Sequence, residues 1–214
     1  MKQIYILLIA LLMGLSANAG KSGTCGPHLK WHLTDDGVLT ISRKGIMKDY
    51  TSWSPWIYDS VKRVIIADGV TTIGDNAFNG CSSLTSVTIP NSVTTIGWRA
   101  FSGCSSLTSV TIPNSVTTIG GGAFGLCSSL TSVTIGNSVI TIGDNTFNGC
   151  SSLTSVTIGN SVTTIGHEAF SGCTNLQKVN IGNSVKTIGR DAFYGCIYNH
   201  RTTKTNQKYP SVNL

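Results

Sequence analysis

The sequence is poor in charge. Only 11% of its 214 residues are Asp, Glu, Lys or Arg, against about 25% in an average soluble domain. That scarcity argues against coiled coils, long charged tails and highly charged disordered chains. The formal net charge is +6, but it is spread unevenly. Residues 70–196 carry four basic and four acidic side chains, and residues 20–69 carry seven against five. No extended basic surface remains to follow a phosphate backbone, so no nucleic-acid partner is expected. Glutamate is nearly missing: Glu168 is the single one. Paired carboxylates, a nucleophile motif and a phosphate-binding loop are all lacking, so the sequence predicts no enzyme, no cofactor and no metal site. Beyond residue 13 there is no long apolar run, and no transmembrane segment is expected.

What is present begins with an address. Met1-Lys2-Gln3 is a short basic start, and Ile4 to Met13 is an unbroken apolar stretch. Ala17-Asn18-Ala19 then places small residues at the −3 and −1 positions before Gly20. This is the pattern of a secretory signal peptide over residues 1–19. The apolar stretch is too short to cross a hydrocarbon core about 30 Å thick. Residues 20–214 are therefore expected to be secreted or held at the cell surface.

A fixed step of 23 residues runs through the rest. It carries Cys81, Cys104, Cys127, Cys150, Cys173 and Cys196, and all six Phe of the chain: Phe78, Phe101, Phe124, Phe147, Phe170 and Phe193. Ile73, Ile96, Ile119, Ile142, Ile165 and Ile188 obey it too. Such a period is the mark of a solenoid. Within one copy, Leu107, Val110 and Ile112 read as the strand half of a leucine-rich repeat, and Pro113-Asn114-Ser115 turns the chain. Val116 and Ile119 form a second, shorter apolar pair. After Gly120 the pattern predicts about one helical or 3-10 turn, with Asp75 and Asp144 as N-caps and Gly80, Gly103, Gly149, Gly172 and Gly195 as stops. Ala100, Phe101 and Cys104 would face inward from it. A single copy cannot offset the cost of ordering its own backbone, so neighbours must share a core. The predicted fold is a right-handed repeat solenoid of leucine-rich-repeat type, with short parallel strands and an N-terminal β-hairpin cap.

The ends differ from the middle. Residues 20–60 hold Trp31, Trp53 and Trp56; Leu29, Trp31 and Leu33 alternate with polar residues, and Asp35-Asp36-Gly37 signals a hairpin. This aromatic hairpin is the expected N-terminal cap. Val61, Val64 and Ile66 set the first strand in register, and the array is expected over 61–196. Residues 197–214 form a polar, basic tail with few groups able to cover the last coil. The last turn is therefore expected to be poorly capped, so that it either frays or pairs with another molecule through that C-terminal end.

The unit I-P-N-S-V-T-T-I-G-x-x-A-F-x-G-C-S-S-L-T-S-V-T resembles the BspA-like leucine-rich repeat family of bacterial surface and secreted proteins. Cys25-Gly26 to Ser42, ending Leu39-Thr40-Ile41-Ser42, is similar to the segment that often precedes such arrays. The resemblance implies export and adhesion to host matrix proteins or other cells by a non-enzymatic binding module.

Candidate contact residues follow from the strand pattern. Ser86/Thr88, Ser109/Thr111, Ser132/Thr134 and Ser155/Thr157 should point outward as two hydroxyl ladders about 4.8 Å per rung. Such a lattice suits an extracellular protein or glycan, or a repetitive polymer. A purely structural, self-associating unit is the other alternative. Among copies the variation sits at the helical edge, where Trp98 beside Arg99 is a plausible contact pair. The six in-register Cys are expected as a buried column of reduced thiols, because stacked side chains point the same way rather than at each other. His28 and His32 should be solvated on a strand face about 13 Å apart. Cys25 has no assigned role.

Overall fold

The structure, a computed structural model, describes residues 20–197. The expected signal peptide, and the expected tail from residue 198 onward, lie outside the described residues.

The chain opens with β1 (Lys21–Thr24), β2 (Lys30–Leu33), β3 (Val38–Ser42) and β4 (Gly45–Ile46). Strands then come in pairs at the 23-residue step. They are β5 (Arg63–Ile66) and β6 (Val70–Ile73), β7 (Ser86–Thr88) and β8 (Thr95–Ile96), β9 (Ser109–Thr111) and β10 (Thr118–Ile119). There follow β11 (Ser132–Thr134) and β12 (Thr141–Ile142), β13 (Ser155–Thr157) and β14 (Thr164–Ile165), β15 (Lys178–Asn180) and β16 (Thr187–Ile188). Ser-Val-Thr forms a strand because its β-branched residues fit an extended backbone and its central Val points into the core. Ser132 pairs with Ser109 and Ser155, Val133 with Val110 and Val156, all parallel and in sequence register.

The sheets extend beyond the periodic region. A seven-stranded sheet runs β16-β14-β12-β10-β8-β6-β4. Within the array its two-residue strands are Thr-Ile steps that hold the second member of each short apolar pair, such as Ile119, and they gave no separate strand signal. The cap joins both flanks. β2 pairs antiparallel with β1 on one side and β3 on the other, and β3 then pairs parallel to β5 with Leu39 opposite Val64. β4 pairs with β6 through a register shift between Gly45 and Ile46. The cap is therefore a hairpin grafted onto an irregular first coil whose stagger is two residues longer than the repeat.

The third edge of each coil differs from the expected helical turn. Residues 75–80 and their equivalents are consecutive turns, with no helical residue among those described. The backbone explains this. Asn76, Arg99, Asn145, Glu168 and Asp191 all have φ between 49° and 56°, a left-handed conformation through which no right-handed helix passes. Alternate amides donate outward to the following coil: Asn76 to the Trp98 carbonyl, Phe78 to Ala100 and Gly80 to Ser102, at 2.7–2.8 Å. The predicted N-caps act across coils as well. Asp75 Oδ1 accepts from the Trp98 amide at 2.6 Å, and Asp144 Oδ1 from that of His167 at 2.7 Å.

The core lies along the axis. The six Phe form one column with ring centroids 5.0–5.5 Å apart and interplanar angles of 2–14°. Burying each ring contributes about 1.5–3 kcal/mol, and each stacked pair about 0.5–1.5 kcal/mol more. Trp56 extends the column, stacked on Phe78 at 5.6 Å, with its Nε1 donating to the Ala77 carbonyl at 3.0 Å. Trp31 and Tyr50 meet Trp56 edge-on and end the stack. The 23-residue step could not reveal this, because Trp56 lies 22 residues before Phe78.

Candidate interaction surfaces

The strand flank presents the hydroxyls that the sequence singles out. Ser109, Ser132 and Ser155 lie in one ladder and Thr111, Thr134 and Thr157 in a second, all exposed. Lys178 and Asn180 continue them, and Asn180 Nδ2 donates to Thr157 Oγ1 at 3.4 Å. The hydroxyls of Ser109, Thr111, Ser132, Thr134 and Ser155 make no hydrogen bond within the described residues, so they are available to a partner. In contrast, the adjacent Thr131 and Thr154 hydroxyls are committed to carbonyls of the preceding coil. At the ends of these strands lies an open groove of about 610 Å³, whose lining includes Thr111, Thr134, Thr157, Asn91, Asn114 and Asn137. The Asn column sits in the turn after each strand. The sequence marks it as a turn but not as part of a groove.

Ser86 and Thr88 are exposed but do not belong to this ladder. β7 pairs only with β5 and closes the sheet β1-β2-β3-β5-β7, while β9 starts the separate sheet β9-β11-β13-β15. The Thr108 amide finds no partner, whereas Thr131 donates to the Thr108 carbonyl at 2.9 Å. Val87 and Ile89 are accordingly half-buried where Val110 and Ile112 are fully buried. The expected continuous lattice is split by a seam after its first rung.

The turn edge carries the second candidate surface. Trp98 is 44% exposed, with the Arg99 guanidinium stacked 4.2 Å from its ring centre. Beneath them the next coil reads Gly121-Gly122. A Cβ at Gly121 would touch the pyrrole edge of Trp98, and one at Gly122 would meet the Arg99 stem at 3.2 Å. The two glycines leave the room that the pair occupies. Five residues beyond Gly121 stands Leu126, 61% exposed at φ 60°, where the other copies have glycine.

Two further clusters are chemically occupied. His167, Glu168 and Asp191 bring three ligand-type atoms within 4.8 Å of one another. However, Arg190 already supplies the positive charge: its Nε is 3.4 Å from Asp191, and its Nη2 is 3.5 Å from His167 Nε2. The Cys column is free of disulfides. Cys104, Cys127, Cys150, Cys173 and Cys196 each donate to a Phe carbonyl of the preceding coil at 3.2–3.3 Å. Burial pushes the thiols of Cys81 and Cys127 up to about 12, which makes them poor nucleophiles. Cys25 is buried in the cap, its thiol pushed up to about 11 by desolvation and eased by Lys48. His28 and His32 are exposed.

The model of the BspA type leucine rich repeat region matches in six copies, over residues 57–164 and 140–211. No curated protein matches. Among solved structures, the T. pallidum leucine-rich repeat protein is similar at 28% identity with a TM-score of 0.64, covering 85% of this chain and 88% of that one. A leucine-rich cell surface protein from Faecalibacterium prausnitzii is similar at 30% identity and TM-score 0.54, covering 77% of this chain and 55% of that one. A leucine-rich repeat protein from Bacteroides ovatus is similar at 25% identity and TM-score 0.54, covering 81% and 57%. The chain thus spans little more than half the length of the last two.

Proposed function

The chain belongs to the BspA-type leucine-rich repeat family, and from that premise we propose that it is an exported interaction module that adheres to an extracellular protein through its solenoid surface. One observation carries this reading. The rigid shared core displays side chains that the fold itself does not use, namely the free hydroxyl ladder and the Trp98–Arg99 pair. Trp and Arg are the residue types that dominate protein interfaces. The likeness to a leucine-rich cell surface protein and the signal-peptide pattern of residues 1–19 support an extracellular setting. Among the described residues no helix is long and apolar enough to cross a membrane. The catalytic requirements of a paired acid and base or an activated thiol are not met by the groups described above, which supports a non-enzymatic role.

A second reading is favoured by the ladder alone. Hydroxyls repeating at the coil spacing would match a glycan or polymer laid along the strand flank. Surface plasmon resonance of the full chain over immobilised matrix proteins and matrix glycans separates the two. Saturable binding to a protein, weakened about tenfold in Trp98→Ala or Thr111→Lys with an unchanged circular dichroism spectrum, is the expected result. Binding to no matrix protein would overturn it.

A further inference from the structure

The copies of this array are nearly identical on the strand flank and differ at the turn edge, so whatever distinguishes one coil from the next is written there. Leu126 is the sharpest departure. The equivalent position is Gly80, Gly103, Gly149, Gly172 and Gly195 in the other copies, with φ from 71° to 77°. Left-handed backbone is strained for any residue bearing a Cβ, and leucine gains nothing from a local hydrogen bond there. Its side chain recovers little by burial, since it lies 61% exposed over Gly149 of the next coil. Backbone strain kept under an exposed apolar group points to use rather than to folding.

The preceding coil supplies the cation and the second apolar group. Trp98 and Arg99 lie against Gly121 and Gly122 of the Leu126 coil, where a Cβ would touch them. Arg99 is itself left-handed, with φ 49°. The ion pairs of the described residues are Lys21–Asp59, His167–Glu168 and Arg190–Asp191, so Arg99 has no acidic partner. The nearby Asp75 carboxylate is engaged by the Trp98 amide and Asp144 by that of His167. Stacking on Trp98 fixes the guanidinium plane and leaves its N–H fork free for a carboxylate. The turn edge of these two neighbouring coils therefore carries one cation outside any ion pair and two exposed apolar groups, Trp98 and Leu126.

We propose that this turn edge, formed by Trp98, Arg99 and Leu126, is the recognition face, and that its partner is an acidic polypeptide segment with apolar residues beside its carboxylates. This rests on the interaction reading above and specifies its site and chemistry. Arg99 holds a carboxylate bidentately while Trp98 and Leu126 cover the flanking apolar side chains.

The test uses the full chain and labelled short peptides read by fluorescence anisotropy. One peptide carries Glu and Asp with Leu and Phe; a second has every acid replaced by Gln; an oligouronate serves as an anionic glycan. The acidic peptide is expected to bind about tenfold more tightly than the Gln peptide and to weaken with salt. Arg99→Ala and Leu126→Gly should each weaken it about tenfold. Leu126→Gly carries a second readout: it removes backbone strain, so its melting temperature should rise while binding falls, a combination that a structural role for Leu126 does not produce. Equal binding of the two peptides, unchanged binding in Leu126→Gly, or recognition of the oligouronate alone would overturn the proposal. If a matrix protein binds with dependence on Thr111 but not on Leu126, this proposal fails and the interaction reading stands. If no matrix protein binds at all, the reading itself fails.

Discussion

The cap-side sheet and the array sheet are built from nearly the same strand chemistry but behave differently. β7 and β9 have identical sequences, Ser-Val-Thr. One closes the sheet begun by the antiparallel hairpin, pairing with β5 at the 23-residue step, and the other starts a separate parallel stack with the same step; the 25-residue step lies earlier, between β3 and β5. The seam between them thus has a tertiary origin. β7 hydrogen-bonds only towards the cap and β9 only away from it, although both keep the 23-residue register. Yet the seam is one-sided. Opposite it, β6, β8 and β10 remain paired, and the Phe column passes through unbroken at 5.0 and 5.2 Å. Repetition gives each coil the same neighbour, whereas termination has to be specified by residues outside the repeat, here Trp56, Trp31 and Tyr50.

Four measurements test that contrast. The largest effect is expected at the junction. Trp56→Ala removes a fully buried ring from the end of the column and leaves the Ala77 carbonyl unpaired. It should lower the unfolding free energy by about 3–5 kcal/mol in urea. A loss below about 1 kcal/mol would mean that the array does not depend on its cap.

The second effect separates the thiols of the two regions by pH. Burial holds the proton on the thiols of Cys25, Cys81 and Cys127 in the folded state, while the unfolded chain releases it from near pH 9. The unfolded state then binds fewer protons, so stability is complete below pH 9 and falls as pH rises. For Cys25 the fall ends near pH 11, and for Cys81 and Cys127 near pH 12. Cys25→Ala should therefore recover about 2–3 kcal/mol of the loss at pH 11 and leave the later fall in place. Identical alkaline profiles for the variant and the parent chain would remove the distinction.

The third effect lies within the array. Gly136 is pressed onto the backbone of Pro113 and Asn114, whereas the nearest neighbour of Gly159 is the tip of the Asn137 side chain at 3.2 Å. Gly136→Ala should cost about 1–3 kcal/mol, and Gly159→Ala about 0.5 kcal/mol or less in thermal melts. The smallest effect is local. The Thr108 amide should exchange its hydrogen faster than those of Thr131 and Thr154, which donate across intact rungs. Equal protection would close the seam.

Much of this architecture was legible in the sequence, because a repeated residue must occupy a repeated place. The Phe and Cys spacing fixes the axis, and the Leu-Val-Ile spacing identifies the inward face. Other features leave no such trace. A strand of two residues such as Thr95–Ile96 is too short to show alternation. The left-handed turn reads as a helix start because Asp75 and Asp144, just before it, are residues favoured both at helix N-caps and in turns. The seam is invisible because the peptides on its two sides are the same. Of the candidate surfaces, the ladder residues followed from alternation and Trp98–Arg99 from variation among copies. Leu126 was detectable as a gap in a glycine column, but its significance needed the sign of φ.

The rungs between coils run along the long axis, and that has a mechanical consequence. If the two ends of the chain were pulled apart, the load would fall on one rung set after another instead of on all of them together. Each coil that peels away would release 23 residues, about 80 Å of extended chain, before the next began to yield. Near-identical copies would give near-identical rupture forces, so a tethered molecule would lengthen in even steps under tension and keep its remaining coils intact, as a shock absorber does.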